Sequence, residues 1–246
     1  MKSLWILWMA GMILFSNQHC TAEGEDMNPK PKQVAGGDVQ RGITLPEPRT
    51  HSDCSVEEAL LRRRSVRNYK AEPLNLQELG QVLWAAYGIT KEMPLPMFLR
   101  GGLRTAPSAG ALYPLEIFVV AGEVTGLTPG IYRYRSAGHA LELVAAGDRR
   151  QELAKAAWDQ TFIARAPVVL VYAAVFARTT GKYGERGRAR YVCMDLGHSA
   201  QNVYLQAEAL GLGTCAVGAF DDAAVAKVVG LKNEEEPLYL MPVGKK

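Results

Sequence analysis

Only four cysteines occur in 246 residues, Cys20, Cys54, Cys193 and Cys215, and none lies near another. That excludes a disulfide-stapled scaffold and any C-x-x-C zinc pattern, so the thiols read as small buried side chains. The four histidines are as sparse, and His19, His51 and His139 stand in no supporting spacing. His198 and Asp195 share one helical face, but one imidazole and one carboxylate do not make a metal site, so no metal is expected. Charge of one sign is also lacking: 28 basic residues face 25 acidic ones, a net +3. A general nucleic-acid binder, which depends on neutralising phosphates, is thereby excluded. The sequence has no Walker glycine loop, no H-E-x-x-H and no G-x-S-x-G elbow. Its string GLGTCAVG, Gly211 to Gly218, follows a predicted helix instead of opening one, which rules out a dinucleotide fingerprint.

A long hydrophobic run is missing too. The apolar stretch Leu4 to Phe15 follows Lys2 and is too short to span a bilayer comfortably. With the small residues Cys20 and Ala22 behind it, the stretch reads as a secretory signal peptide over residues 1–22, cleaved after Ala22. A lipid anchor on Cys20 and an uncleaved membrane anchor are the alternatives. The leader carries no twin arginine, so export of an unfolded chain and a periplasmic location are expected. Residues 23–50 hold Pro29, Pro31, Pro46 and Pro48 with Gly36, Gly37 and Gly42 and no apolar period, the composition of a flexible tether. With 48% hydrophobic residues, the remaining 51–246 can bury one full core.

Within that domain, Ser55 with Glu58 and Asn75 with Glu78 are capping boxes. The first opens a short helix into an arginine cluster, and the second a helix from Leu76 to Tyr87 closed by Gly88. Leu115–Gly122 and Gly130–Tyr134 read as strands, and Asp148 caps a helix to about Trp158. Pro167–Val175 suits a central strand. Arg190–Leu210 is a long helix whose Asp195, His198, Asn202 and Gln206 form a polar stripe, with Leu196, Ala200, Val203 and Ala207 on another side. A strand over GTCAV, a helix from Asp221 to Val229 ended by Gly230, and a strand Leu238–Val243 complete the chain. Helices and strands mix without strict alternation, so an α+β fold is expected.

The cluster RRRSVR, Arg62 to Arg67, is the local exception to the charge balance. It fits a solvated helix end whose arginines complement the dipole. It equally fits a phosphate clamp, because guanidinium forks and a serine hydroxyl match phosphoryl oxygens. The segment Thr179 to Arg190, TTGKYGERGRAR, is polar and glycine-punctuated and reads as a surface loop.

Four motifs in order, RRRSVRNY, RTAPSAGALYPLEIFVV, GKYGERGRARYVCMDLGHSAQNVYLQAEALGLGTCAVGAF and LMPVG, resemble the nitroreductase family, most closely its SagB-type, azoline-oxidase-like branch. The resemblance covers nearly all of Ser55 to Gly244. It implies an α+β nitroreductase-like fold, a central mixed or antiparallel sheet flanked by helices, and FMN held at the interface of a homodimer. Arg63, Ser65 and Arg67, with Arg64, then match the contacts to the flavin's phosphate and ribityl chain, and Arg62 is left as a surface charge. Pro107, Ser108, Ala109 and Gly110 match the segment brought to the flavin by the partner subunit. Gly218 and Ala219 match the place where a backbone N–H faces flavin N5. Lys182 and Tyr183 resemble the active-site pair of the SagB-type branch, with Lys182 as proton carrier. The chain departs from the family at its end, which stops at Lys246, so Lys245 is expected to supply the basic contact of the usual C-terminal arm. The implied activity is FMN-dependent hydride transfer in two half reactions, to or from a small organic substrate, with NAD(P)H as a transient reductant or oxygen as the oxidant. Export would put cytosolic NAD(P)H out of reach. An exported flavin carrier without substrate chemistry, or an FMN-free structural relative, are the competing readings.

Overall fold

The computed structural model describes residues 42–93 and 96–246. The expected leader and most of the expected tether lie outside the described residues. From the start of that range come β1 (Ile43–Thr44), α1 (Val56–Arg62), β2 (Leu74–Asn75), α2 (Leu76–Tyr87), β3 (Ile89–Met93), β4 (Gly101–Arg104), β5 (Leu115–Ala121), β6 (Val124–Thr125), β7 (Gly130–Arg135) and β8 (Ala140–Ala146). The second half holds α3 (Arg150–Ala156), α4 (Thr161–Arg165), β9 (Val168–Ala174), α5 (Ala177–Tyr183), α6 (Val192–Ala209), β10 (Leu212–Thr214), α7 (Asp222–Val229) and β11 (Glu236–Lys245).

Seven strands form one sheet in the order β1-β8-β7-β5-β9-β11-β10, and every pairing between them is antiparallel. β5 and β9 sit in its middle, which explains sequences that are apolar throughout except for Glu116: a strand covered on both faces has no reason to alternate. Leu115, Ile117, Val119 and Ala121 turn to a core shared with α2 and α6. Phe118 and Val120 turn to a second core under α3, α4 and α7. Val168, Leu170, Tyr172 and Ala174 against Val169, Val171 and Ala173 repeat the division on β9. Each large side chain so buried contributes roughly 1.5–3 kcal/mol of transfer free energy.

Local signals set several boundaries. Glu78 N–H donates to Asn75 Oδ1 at 2.8 Å and Asn75 N–H to Glu78 Oε2 at 3.0 Å, the reciprocal box that opens α2. Asp221 accepts from Ala224 N–H at 2.8 Å to open α7, and Gly230 ends it in the left-handed region at φ 72°. Arg150 N–H donates to Asp148 Oδ1, but the helix starts one residue beyond Arg149 and ends at Ala156.

Two expectations need correction. The packed domain begins before His51: β1 pairs with β8, Leu45 is 3% exposed, and Gln81 accepts from Arg49 N–H at 2.7 Å and donates to Arg49 O at 3.0 Å. The tether composition is overridden there by pairing to a sheet edge. The supposed loop Thr179–Arg190 is largely helical, with α5 reaching Tyr183 and a π-turn Gly187–Tyr191 leading into α6. Gly187 is buried against Thr179, where an added Cβ would come within 3.0 Å of the threonine carbonyl oxygen, so this glycine serves close packing and not a loose turn. No helix among the described residues is long and apolar enough to cross a membrane.

Candidate functional site

The arginine cluster is displayed where α1 stops. Ser55 accepts from Glu58 N–H at 3.1 Å at its start, and Arg63 N–H closes it on Ala59 O. The chain then turns extended and crosses the sheet edge, with Val66 N–H on Thr214 O at 2.8 Å and Lys70 N–H on Lys245 O at 3.0 Å. Gly213 permits the crossing, because an added Cβ would lie 2.7 Å from the Val66 side chain.

The cluster divides by role. Arg62 pairs with Glu58 at 2.7 Å, as expected of a surface charge. Arg64 bonds Leu61 O and Arg63 O, serving the helix end. Arg63 lies over the Tyr204 ring at 5.2 Å and Arg67 over Phe162 at 5.7 Å. Ser65 Oγ shares a 3.1 Å hydrogen bond with Tyr204 Oη, which accepts from Ala216 N–H at 2.8 Å. Among the described residues no carboxylate pairs with Arg63, Arg64 or Arg67. Guanidinium groups without counterions beside two hydroxyls fit a phosphate. Gly218 and Ala219 are exposed beyond the bridge Val217–Leu240, close in sequence to the Ala216 amide that bonds Tyr204. The Lys245 ammonium pairs with Glu78 at 2.5 Å and so ties the last strand to α2.

The second group of residues gathers at the other end of α6. Asp195, 2% exposed, accepts from Ser108 Oγ at 2.5 Å and from Ala109 N–H at 3.2 Å, while Ser108 Oγ accepts from Tyr113 N–H at 2.9 Å. Burial raises the Asp195 pKa, and the bonds from Ser108 and Ala109 hold part of that rise back. This carboxylate clamps a strained loop, with Gly110, Ala111 and Tyr113 at φ 63°, 54° and 47°. At Gly110 an added Cβ would lie 2.7 Å from Tyr183 Oη and 3.1 Å from Lys182 Nζ. The expected pair and the Pro107–Gly110 loop are therefore neighbours within one chain. Tyr183 also packs edge-on to Tyr191, ring centres 4.9 Å apart.

A buried ion network fixes the base of α5. Arg178 donates to Glu116 Oε1 at 2.6 Å and to Tyr113 O at 3.2 Å. Arg100 donates to the same two oxygens, at 2.6 and 2.9 Å. Arg133 joins Glu116 to Glu235. Burial alone would raise the Glu116 pKa, but Arg100 and Arg178 overcome it and hold the carboxyl below the usual range. Glu116, Arg178 and the clamp role of Asp195 are what sequence reasoning missed; a charged residue inside the apolar run LEIFVVAG was the available signal.

Asp195 and Tyr204 mark the two groups on α6, nine residues and so about 13 Å apart along its axis. The chain thus carries a basic cradle and a Lys-Tyr platform, beside points half the length of α6 apart.

Comparison with known proteins identifies the family. The family model described as "Nitroreductase family" matches residues 60–245. A Methanocaldococcus jannaschii protein named for the nitroreductases, MJ1384, is 49% identical over 194 residues, 79% of this chain and 92% of that one. A crystal structure from Ralstonia eutropha, also named for the nitroreductases, superposes with a TM-score of 0.70 at 31% identity, covering 90% of this chain and 95% of the other. The microcin B17-processing protein McbC of Escherichia coli is 32% identical over 134 residues, 52% of this chain and 48% of that protein. With the family model spanning residues 60–245 and a relative 49% identical over 79% of the chain, the chain belongs to the nitroreductase family.

Proposed function

We propose that the protein is an FMN-dependent oxidoreductase of the SagB-type branch, built as a homodimer in which the cradle of one copy meets the platform of the other. One observation carries this reading. Arg63, Arg64 and Arg67 have no carboxylate partner among the described residues and Arg63 lies over Tyr204, whereas Lys182 and Tyr183 lie against the Gly110 loop that Asp195 holds nine residues earlier on α6, so the two groups form separate faces that a second copy can bring together.

The residues present fit FMN. Arg63 and Arg67, with the Ser65 hydroxyl, would hold the phosphate, and Arg64 could add to them by leaving its helix carbonyls. The exposed backbone at Gly218–Ala219 allows a flat ring to approach, and internal packing does not demand a glycine there, since an added Cβ would meet Tyr239 only at 3.5 Å. When bound, the flavin supplies hydride acceptance and donation at N5. The platform then orients substrate: Pro107–Gly110 offers backbone and small side chains, Tyr183 a hydroxyl, and Lys182 an amine that takes the substrate's proton when neutral and gives one when charged. Asp195 keeps the loop shut against α6 through Ser108 and Ala109, and Glu116 keeps α5 on the sheet through Arg178. For a substrate to be oxidised the neutral Lys182 amine would take the proton, and for one to be reduced the Lys182 ammonium would give one.

The charged start, apolar run and small residues of 1–22 support export, and with it an electron donor or acceptor outside the cytoplasm. The purified mature protein tests the reading. A bound chromophore absorbing near 450 nm, bleached by NAD(P)H or by an oxidisable substrate and restored by a quinone, a nitroarene or oxygen, is expected. A bound flavin inert to every donor and acceptor would instead identify an electron carrier, and a colourless protein that cannot be reconstituted would refute flavin binding.

A further inference from the structure

The sheet holds a second feature that the proposed redox chemistry does not use. β5 pairs with β7 only from Phe118↔Arg133 to Ala121↔Gly130, although β5 begins at Leu115 and β7 continues to Arg135 along β8. The two strands therefore fork, and the fork opens a cavity of about 220 Å³ lined by Leu115, Glu116, Ile117, Tyr134, Ser136 and Ala137 with Arg100 and Arg104 above them. Strand divergence alone would leave a greasy cleft. Here two guanidinium groups from the segment preceding the Pro107 loop turn it polar.

Charge in the cavity is unbalanced. Arg135 is neutralised by Glu142, and Arg100 by Glu116, which it shares with Arg133 and Arg178. Arg104 has no carboxylate partner among the described residues. It lies between the rings of Tyr87 and Tyr113, 4.4 and 4.9 Å from their centres. Its Nη1 donates to Ser136 Oγ at 2.6 Å and Tyr87 O at 3.2 Å, whereas Nη2 reaches only Arg100 O at 3.4 Å. Nε is buried without a protein partner. Nη2 makes only one bond with its two N–H groups, so the guanidinium keeps a charged donor and an unneutralised charge beside the cavity. Burial also pulls the Arg104 pKa below its ordinary value, the sign of a cation short of solvent.

We propose that this fork is a binding site for a small monocarboxylate, held by the unneutralised guanidinium of Arg104 with its short hydrocarbon part against Tyr134 and the β5 wall. Of the arginines lining the cavity, Arg100 and Arg135 have carboxylate partners and Arg104 has none among the described residues, so one positive charge is left to balance, which a monoanion supplies. Arg104 N–H lies 3.3 Å from Tyr113 Oη, and Tyr113 ends the strained loop, so occupancy bears on the platform.

The test uses the purified full chain, titrated with sodium acetate and sodium benzoate by calorimetry and thermal shift. Sodium chloride and sodium sulfate at equal ionic strength are the controls. Saturable binding of a carboxylate that the controls do not reproduce is expected, at least about tenfold weaker in Arg104→Gln, the loss of a charge-assisted pair. Ala137→Trp, on the exposed turn beside the cavity, should abolish binding with the fold intact. If Arg104→Gln does not fold, the tryptophan variant decides alone: abolished binding supports the site, and unchanged binding overturns it. Carboxylates that act no differently from chloride, or sulfate that binds in their place, would also overturn it. The measurement needs no turnover, so its failure leaves the redox reading untouched.

Discussion

Replacing Asp195 by alanine removes the one group that ties the Pro107–Gly110 loop to α6. Two donors lose a charged acceptor, Ser108 Oγ at 2.5 Å and Ala109 N–H at 3.2 Å. Hydrogen bonds to charged groups contribute about 1.5–3 kcal/mol each, but the mutation also ends the cost of burying the carboxylate, so the net loss is about 2–4 kcal/mol. Strain stored at Gly110, Ala111 and Tyr113 then relaxes, and Gly110 leaves its place against Lys182 and Tyr183. Asp195→Asn keeps one acceptor and should lose about 1 kcal/mol. Urea unfolding followed by circular dichroism measures both, with turnover assayed in parallel. The wild-type pH dependence adds a signature. The folded pKa of Asp195 is raised, so the native state binds more protons than the unfolded chain between the ordinary aspartate value and the folded one. The stability contributed by this group is complete below the ordinary value and falls as pH rises through the folded pKa, and Asp195→Asn should erase that fall. Asp195→Ala unfolding within about 0.5 kcal/mol of the wild type would refute the clamp.

Other expectations follow from the same geometry. Arg67→Ala should weaken FMN binding by about 1.5–3 kcal/mol in a fluorescence titration, and unchanged affinity would remove it from the phosphate site. Lys182→Ala should retain flavin yet slow turnover, whereas unaltered kinetics would exclude Lys182 from proton transfer. Glu116→Ala strands Arg100 and Arg178 and leaves Arg133 with Glu235 alone, and should cost about 3–5 kcal/mol of unfolding free energy, a loss that urea denaturation would reveal. Gly110→Ala, which brings a Cβ within 2.7 Å of Tyr183 Oη, should impair turnover more than flavin binding.

Much of the fold was legible because its signals are local. The Asn75–Glu78 box and the Asp221 to Gly230 span mark helix ends through backbone hydrogen bonds made within a few residues. β5 and β9 announce themselves as apolar runs because both of their faces are covered. β8 was missed, since its alternation ALELVAA is set by a half-exposed sheet margin, and β1 was hidden in proline-rich sequence. α5 was taken for a loop because Gly181 and Gly184 weaken the helical pattern, while its anchor, Arg178 on Glu116, lies 62 residues away. The arginine cluster and the Lys-Tyr pair were readable as motifs. The two carboxylates that position the platform were not, because Asp195 looked like one member of a polar stripe and Glu116 like an accident in a strand. Lys245 shows the same limit: its partner Glu78 is one that only the fold could supply.

Complementation tests the shared site most directly. Arg67→Ala spoils the cradle and Lys182→Ala the platform, so each variant alone should be nearly inactive when FMN is kept too dilute to load the first. In a mixed dimer the cradle of the lysine variant faces the platform of the arginine variant, leaving one sound site of two. Co-expression in equal amounts should therefore recover roughly a quarter of wild-type turnover, as half of randomly assembled dimers are mixed. Activity no greater than the average of the two parents would place cradle and platform in one copy and contradict the account.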